Sequence, residues 1–253
     1  MTDIHSQLLN LGVSPGDVVL MHSSMKALGT NITPREFLSG LMQVLTPGGT
    51  LLLPALTYES VTSDNPNFSI TESKPCVGIL PLTFMEMEGV RRSMHPTHSV
   101  FAWGALADEL TSLHYIDNTP VGSNSPFMLL LKHKGKILFI GDILYSCTFM
   151  HGLEEIVNTP YVLNTEMTRY SLKDETGKIS EKDYYTHNFK GWEQEYPRIR
   201  DILSYPDIRD GTVCSASCTL IDAAKLKTAA IERFNEDIYA FVSPAGLSEC
   251  SEE

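Results

Sequence analysis

The sequence predicts an α/β fold, an αβα-layered domain on a central, mostly parallel sheet, and three observations carry that expectation. Short uninterrupted apolar runs recur at 17–21 (DVVLM), 50–53 and 137–140, the pattern of strands covered on both faces. The segments between them carry helix start and stop signals. The first and last runs also empty into polar, glycine-punctuated segments, and ligands of open α/β sheets bind beyond the carboxyl ends of the strands. With 253 residues we expect one domain over 1–253, with a peripheral hairpin and helical insertion at roughly 164–210.

In chain order, 4–11 has the spacing of a short amphipathic helix, ended by Gly12 and a Ser14-Pro15-Gly16 turn. Residues 17–21 form the first buried strand, which delivers His22, Ser23 and Ser24 at its carboxyl end. Thr33-Pro34-Arg35-Glu36 is a capping box with proline at the first helical position, opening a helix to about Leu45. Pro47-Gly48-Gly49 closes it ahead of the strand at 50–53, so strand, helix and strand make a right-handed βαβ unit. Residues 57–78 are polar and aperiodic and read as a long loop, a length that in compact domains is usually functional.

A Met-rich helix at 80–88, a strand at 100–103, a helix at 105–113 and a helix capped by Ser125-Pro126 lead to the strand at 137–140. Thr148 reads as the N-cap of the next helix, which runs to Asn158 before Pro160, so His151 lies in its first turn. Residues 167–172 and 178–185 read as a peripheral hairpin about Asp174-Glu175-Thr176-Gly177. Residues 192–203 read as a helix broken by Pro197, and 212–220 as one strand returning to the sheet. Asp222 caps a last helix to about Phe234, and the acidic tail after Pro244 reads as frayed.

Composition narrows the function classes. The chain carries 19 basic and 31 acidic residues, net −12, which argues against a nucleic-acid partner and suits a cationic substrate by long-range attraction. Acidity for solubility alone gives the same balance. No run approaches the roughly 18 apolar residues of a membrane span, and the N-terminus (MTDIHSQLLNLG) lacks a basic-then-apolar pattern, so a cytoplasmic protein, monomer or homodimer, is expected. Five cysteines, an odd number, argue against a disulfide framework. Cys214 and Cys218 lack a second pair to complete a zinc site and read as small buried hydrophobes.

Three constellations carry chemistry. His22-Ser23-Ser24 follows a buried strand, where hydroxyls and N–H groups can hold an anion, although an ordinary strand exit has the same text. Arg91 to Ser99 (RRSMHPTHS) packs two arginines, two histidines and two outer serines around Pro96, and arginine is the natural partner of phosphate. His151 and Glu154 share one helix face at the sheet's ligand edge, so the carboxylate can orient the imidazole as a general base. A metal held by His22, His95, His98 and His151 is an alternative, but Pro96 forbids a helical ligand pair and no HExxH motif follows. Cys147 could be a nucleophile, though packing in the core is the simpler role.

Together these segments resemble the aminoglycoside 3-N-acetyltransferase family, over VVLMHSSMKALG, GGTLLLPALT, RRSMHPTHSVFAWG, PVGSNSPFMLLL and ILFIGDILYSCTFMHGLEE, with GTVCSASCTLIDAAKL a weaker match. The resemblance implies acetyl-CoA-dependent transfer to an amine, the 3-amino group of a 2-deoxystreptamine aminoglycoside, with no metal, on an αβα architecture distinct from GNAT enzymes. On it, His151 takes the place of the catalytic histidine and Glu154 that of the motif carboxylate, with His22 beside them. His22, Ser23, Ser24, Arg92, Ser93, His98 and Ser99 fall where the family lines its coenzyme and active-site cleft. The family's antibiotic occupies an acidic pocket, and the segments that would form it here, 57–78 and 164–210, match least. A metal-dependent hydrolase and a non-catalytic coenzyme-A-binding homologue are the competing classes.

Overall fold

A computed structural model describes residues 4–246. Its main sheet has seven strands in the spatial order Ile208–Val213, Ala216–Asp222, Lys136–Ile140, Val18–Ser23, Thr50–Pro54, Val100–Gly104, Arg91–Arg92. The three central strands pair in parallel, with Val19 opposite both Leu51 and Lys136, and the outer pairs are antiparallel. Five of the seven strands thus point one way, and Ala216–Asp222 and Val100–Gly104 run against them.

Alternation along the strands builds two cores. Val18, Leu20, Leu52, Ile137 and Phe139 face one side, against helices Pro126–Leu129, Thr148–Val157 and Ala223–Glu236. Val19, Met21, Leu51, Leu53, Leu138 and Ile140 face the other, against Ile4–Leu11, Pro34–Leu45 and Ile79–Met85. The three central strands are almost wholly buried because both their faces are covered, and the αβα layering follows.

Local signals set the helix starts. The capping box forms: Glu36 N–H donates to Thr33 Oγ1 at 3.2 Å, and Thr33 N–H to Glu36 Oε2 at 2.8 Å. Asp222 accepts the amides of Ala224 and Lys225.

Several expectations need correction. The cap position before Thr148–Val157 is Cys147, and Thr148 is the first helical residue. His22 and Ser23 belong to the first strand, held by pairing to Phe139 and Ile140, with only Ser24 beyond it. The helices expected at 80–88 and 105–113 are the shorter Ile79–Met85 and Ala107–Thr111.

The 57–78 loop contains a short strand, Asn67–Ser69, which pairs in parallel with Thr168–Lys173; with Ile179–Tyr184 these form a three-stranded sheet. The expected helix at 192–203 is instead strand Trp192–Gln194, a 3-10 turn Tyr196–Arg198 and the single turn Ile199–Ile202. Trp192 stacks on Tyr239 at 4.8 Å while its strand pairs with Val242–Pro244, and that long-range contact overrides the local pattern. The single strand expected at 212–220 is a hairpin, Ile208–Val213 with Ala216–Asp222. Its turn passes through Cys214 at φ 54°, a left-handed position without the glycine that normally marks it. Of the tail expected to fray, residues 247–253 lie outside the described residues.

Candidate active site

The parallel strands Val18–Ser23 and Lys136–Ile140 end level, Ser23 opposite Ile140, and their carboxyl ends open into a cleft of about 1040 Å³. His22, Ser23, Ser24, Lys26, His98, His151 and His187 line it, with Tyr58, Tyr170 and Phe189. Gly141, at φ 100°, turns the chain out of the sheet, where a Cβ would meet Ser24 and Ala27 at 3.1 and 3.2 Å. The chain then enters Thr148–Val157, which presents His151 to the cleft. Gly152 lets this helix press on the 120s: a Cβ there would lie 2.8 Å from Val121 Cγ1 and 2.5 Å from Met128 Cε.

His151 and Glu154 meet as their spacing requires, Nδ1 to Oε2 at 3.1 Å, with Glu154 fully buried. Tyr196, on the 3-10 turn, places its hydroxyl 2.7 Å from His151 Nδ1 and donates to Glu154 Oε2 at 2.8 Å. Tyr161 donates to Glu154 Oε1 at 3.2 Å. Burial, followed by the Glu154 charge, holds both tyrosine hydroxyls above their usual pKa, so they remain donors. The carboxylate therefore has partners on both oxygens, and the proton of His151 belongs on Nδ1, which leaves Nε2 as the basic nitrogen.

A second pair stands beside the first. His187 Nε2 lies 3.0 Å from Glu155 Oε1, which also accepts the Val121 amide at 2.9 Å. The His187 ring is 4.6 Å from those of His151 and His98. Burial pushes the Glu155 carboxyl up to about 7. His98 rests Nδ1 on Thr97 Oγ1 at 2.9 Å, and His95 Nδ1 accepts the amides of Thr97 and His98 at 3.3 and 3.0 Å. Burial first, and neighbouring histidines second, keep His98 and His187 neutral well below the ordinary pKa.

His22 stacks on Phe139 at 5.1 Å, and burial lowers its pKa to about 3. Its Nε2 is buried without a hydrogen-bond partner. Among the described residues no group of three or more His, Cys, Asp or Glu side chains is arranged to hold a metal. Burial raises the Cys147 thiol to about 12, so no thiolate forms there at neutral pH.

The structure does not bring Arg92, Ser93 or Ser99 to the cleft. The half-buried Arg92 guanidinium donates to the carbonyls of Ser73 (2.5 Å), Ala55 (3.2 Å) and Ile70 (3.2 Å) and to Ser99 Oγ (2.9 Å). It also lies over the rings of Phe68 and Phe101, so it clamps the 57–78 segment and has no fork left for a phosphate. Ser93 bonds His114 Nδ1 at 2.8 Å, and Ser99 donates to Ala55 O at 2.8 Å. Arg91 pairs with Asp108 at the surface.

Sequence reasoning missed Tyr161, Glu155, His187 and Tyr196. Their one local signal is the Glu154-Glu155 doublet, whose consecutive carboxylates each hold a histidine.

A family model described as Aminoglycoside 3-N-acetyltransferase matches residues 20–235. The chain belongs to that family. It is 28% identical to aminoglycoside N(3)-acetyltransferase IX of Micromonospora chalcea, over 90% of each chain. A mutant of aminoglycoside acetyltransferase AAC(3)-IVa, solved in complex with a gentamicin, superposes with TM-score 0.80 at 26% identity, covering 95% of this chain and 90% of that one. AAC-IIIb, solved as a binary complex with CoASH, shares the fold at TM-score 0.79 and 22% identity, covering 92% of this chain and 95% of that one. This chain is thus an aminoglycoside N(3)-acetyltransferase-like acyltransferase. None of the helices among its described residues is long and apolar enough to cross a membrane.

Proposed function

We propose that this protein transfers the acetyl group of acetyl-CoA directly to an amine, with His151 as general base and residues 1–253 acting as one antibiotic N-acetyltransferase-like domain. The observation that carries it is the His151–Glu154–Tyr196 triangle, whose His151 lines a cleft of about 1040 Å³ at the carboxyl ends of the central strands. An acceptor amine is mostly protonated at neutral pH and cannot attack a thioester. His151 Nε2 takes one proton, and the buried Glu154 carboxylate stabilises the resulting imidazolium. The amine lone pair then forms the new C–N bond at the thioester carbonyl. As the tetrahedral centre collapses, the C–S bond breaks and its electron pair leaves on the coenzyme sulfur, which takes the proton back from His151, while the extra proton on the newly bonded nitrogen is lost to solvent water to leave the neutral amide. No acyl-enzyme is needed.

Charge developing on the carbonyl oxygen needs a donor. His22, neutral and with Nε2 unpartnered, supplies one if its proton sits there, and the Ser23 and Ser24 hydroxyls are the others at this edge. One such donor is typically worth about 3 to 4 kcal/mol. With Arg92 committed elsewhere, Lys26 is the cleft's cation for a coenzyme phosphate. The family's name and a relative's gentamicin complex make the 3-amino group of a 2-deoxystreptamine aminoglycoside the first acceptor to try. We place the reaction in the cytoplasm, where acetyl-CoA is made and cysteines stay reduced.

Replacing His151 with Ala tests this directly. We expect calorimetry to give an acetyl-CoA Kd within about threefold of wild type while amine-dependent thiol release falls by about 10²–10⁴-fold. Near-normal release would end the assignment, and wild-type protein that binds acetyl-CoA yet acetylates nothing would be a non-catalytic homologue.

A further inference from the structure

We infer that His187 and Glu155 form a second proton relay beside His151, taking from the newly bonded nitrogen the proton that His151 cannot accept. This rests on direct acetyl transfer with His151 as the base, and it names the route by which that second proton reaches water. An ammonium acceptor must lose two protons to become an amide. His151 holds the first until the sulfur departs, so its Nε2 is closed to the second. While the second proton stays, the nitrogen is a protonated leaving group that competes with the thiolate, and the intermediate falls back to reactants. A separate base close to His151 commits it forward.

The geometry supplies one. The His187 ring lines the cleft with its centroid 4.6 Å from that of His151, and its Nε2 lies 3.0 Å from Glu155 Oε1. With Nε2 donating to that carboxylate, Nδ1 keeps its lone pair. The proton moves from the nitrogen of the tetrahedral centre to His187 Nδ1 while the Nε2 proton passes to Glu155 Oε1. The N–H electron pair stays on nitrogen as the amide lone pair, His187 ends neutral in its other tautomer, and Glu155 ends as the acid. No second cation forms next to the His151 imidazolium. Once product leaves, the same transfers run backwards with cleft water as the acceptor, which restores both groups.

The set of donors separates Glu155 from Glu154. Glu154 is fully buried with donors on both oxygens, which suits a fixed counter-charge. Glu155 takes the His187 and Val121 donors on Oε1, and its buried Oε2 has no hydrogen-bond partner among the described residues. A carboxylate held on one side accepts a proton more readily. Burial raises its pKa to about 7, although the Thr119 side chain and the Val121 amide act the other way. The other groups facing the relay are His151 on the same helix, Asp117 beside Glu155, and His98 and His95 beside His187. Burial keeps both histidines neutral, and Asp117 is bonded to Asn124.

The test is thiol release by the whole chain with saturating acetyl-CoA and gentamicin, for wild type, Glu155→Gln and His187→Gln. Glutamine at 155 still accepts the Val121 and His187 donors but stores no proton. For both variants we expect kcat near neutral pH to fall by about 10- to 100-fold, with the acetyl-CoA Kd and gentamicin KM within about threefold. Two readouts separate proton transfer from support of the ring. On the acid side, log kcat of the wild type should climb with a slope of about two, because His151 and Glu155 must both be unprotonated, and in either variant with a slope of about one. Imidazole buffer, a base small enough to enter the open cleft, should raise kcat of the variants in proportion to its concentration and leave the wild type unchanged. A Glu155→Gln enzyme with kcat within about twofold of wild type overturns the relay, as do a shallow wild-type limb and slow variants that keep the steep limb or ignore imidazole. If Glu155→Gln fails to fold in a thermal melt, His187→Gln decides by the same readouts. Those outcomes leave acetyl transfer standing, whereas no thiol release by the wild type overturns transfer to this acceptor and the relay with it.

Discussion

The imidazoles of His187 and His151 stand 4.6 Å apart, and each is tied to one of two consecutive glutamates. Burial and the proximity of His151 keep His187 uncharged. When His151 takes a proton, the neighbouring ring packs it without adding a second positive charge. His187→Gln keeps a donor for Glu155 but removes the ring that holds His151 in place. Thiol-release kinetics should show kcat down by about 10- to 100-fold, the scale of small misplacements of a reacting group, with acetyl-CoA binding unchanged.

Tyr196 touches both members of the base pair, so Tyr196→Phe tests orientation apart from chemistry. The carboxylate keeps Tyr161 but loses its shorter bond, and His151 gains a second way to turn. We expect kcat to fall about tenfold and the KM for acetyl-CoA to change less than about threefold. A fully active variant would show that Glu154 alone orients the ring.

Arg92 separates a structural role from a coenzyme role. Arg92→Lys retains charge but cannot reach three carbonyls at once, so buried acceptors lose their donor. Urea melts should show a loss of about 3 kcal/mol or more, whereas acetyl-CoA affinity, measured where the variant is folded, should stay within about twofold. A selective loss of coenzyme affinity would return Arg92 to the cleft.

Cys147→Ser should retain most turnover, because the buried thiol is not ionised. It should also leave no acetyl-enzyme detectable by mass spectrometry. The substitution places a hydroxyl at a fully buried site, costing about 1–3 kcal/mol in a thermal melt.

Acid should unfold this protein steeply. His22, His95, His98, His114 and His187 are buried with lowered pKa values, so below about pH 6.5 the unfolded chain binds protons that the folded one refuses. Their stabilising contribution is present above that pH and is lost as pH falls toward the folded values. Each adds a slope approaching about 1.4 kcal/mol per pH unit. His95→Asn, which can still accept the Thr97 and His98 amides, should flatten the slope of urea-melt stability against pH by about one proton. An unchanged slope would mean that His95 is not among the groups driving acid unfolding.

Features written within one turn of chain were legible in the sequence: the Thr33–Glu36 box, the Asp222 cap, the apolar strand 137–140 and the i, i+3 meeting of His151 with Glu154. Features that depend on distant partners were not. Tyr196 reaches His151 across 45 residues and His187 reaches Glu155 across 32, from an insertion without hydrophobic period. The hairpin at 208–222 looked like one strand because Cys214, not glycine, takes its left-handed turn. Arg92 read as an anion binder because carbonyl acceptors are written nowhere in side-chain text.

The parallel pairing of Asn67–Ser69 with Thr168–Lys173 joins two segments about a hundred residues apart into one stiff plate bordering the cleft. Neither segment can be lengthened or shortened alone without slipping that register and turning its side chains over. Grafting one of them alone from a relative should therefore fail to fold where exchanging both together succeeds.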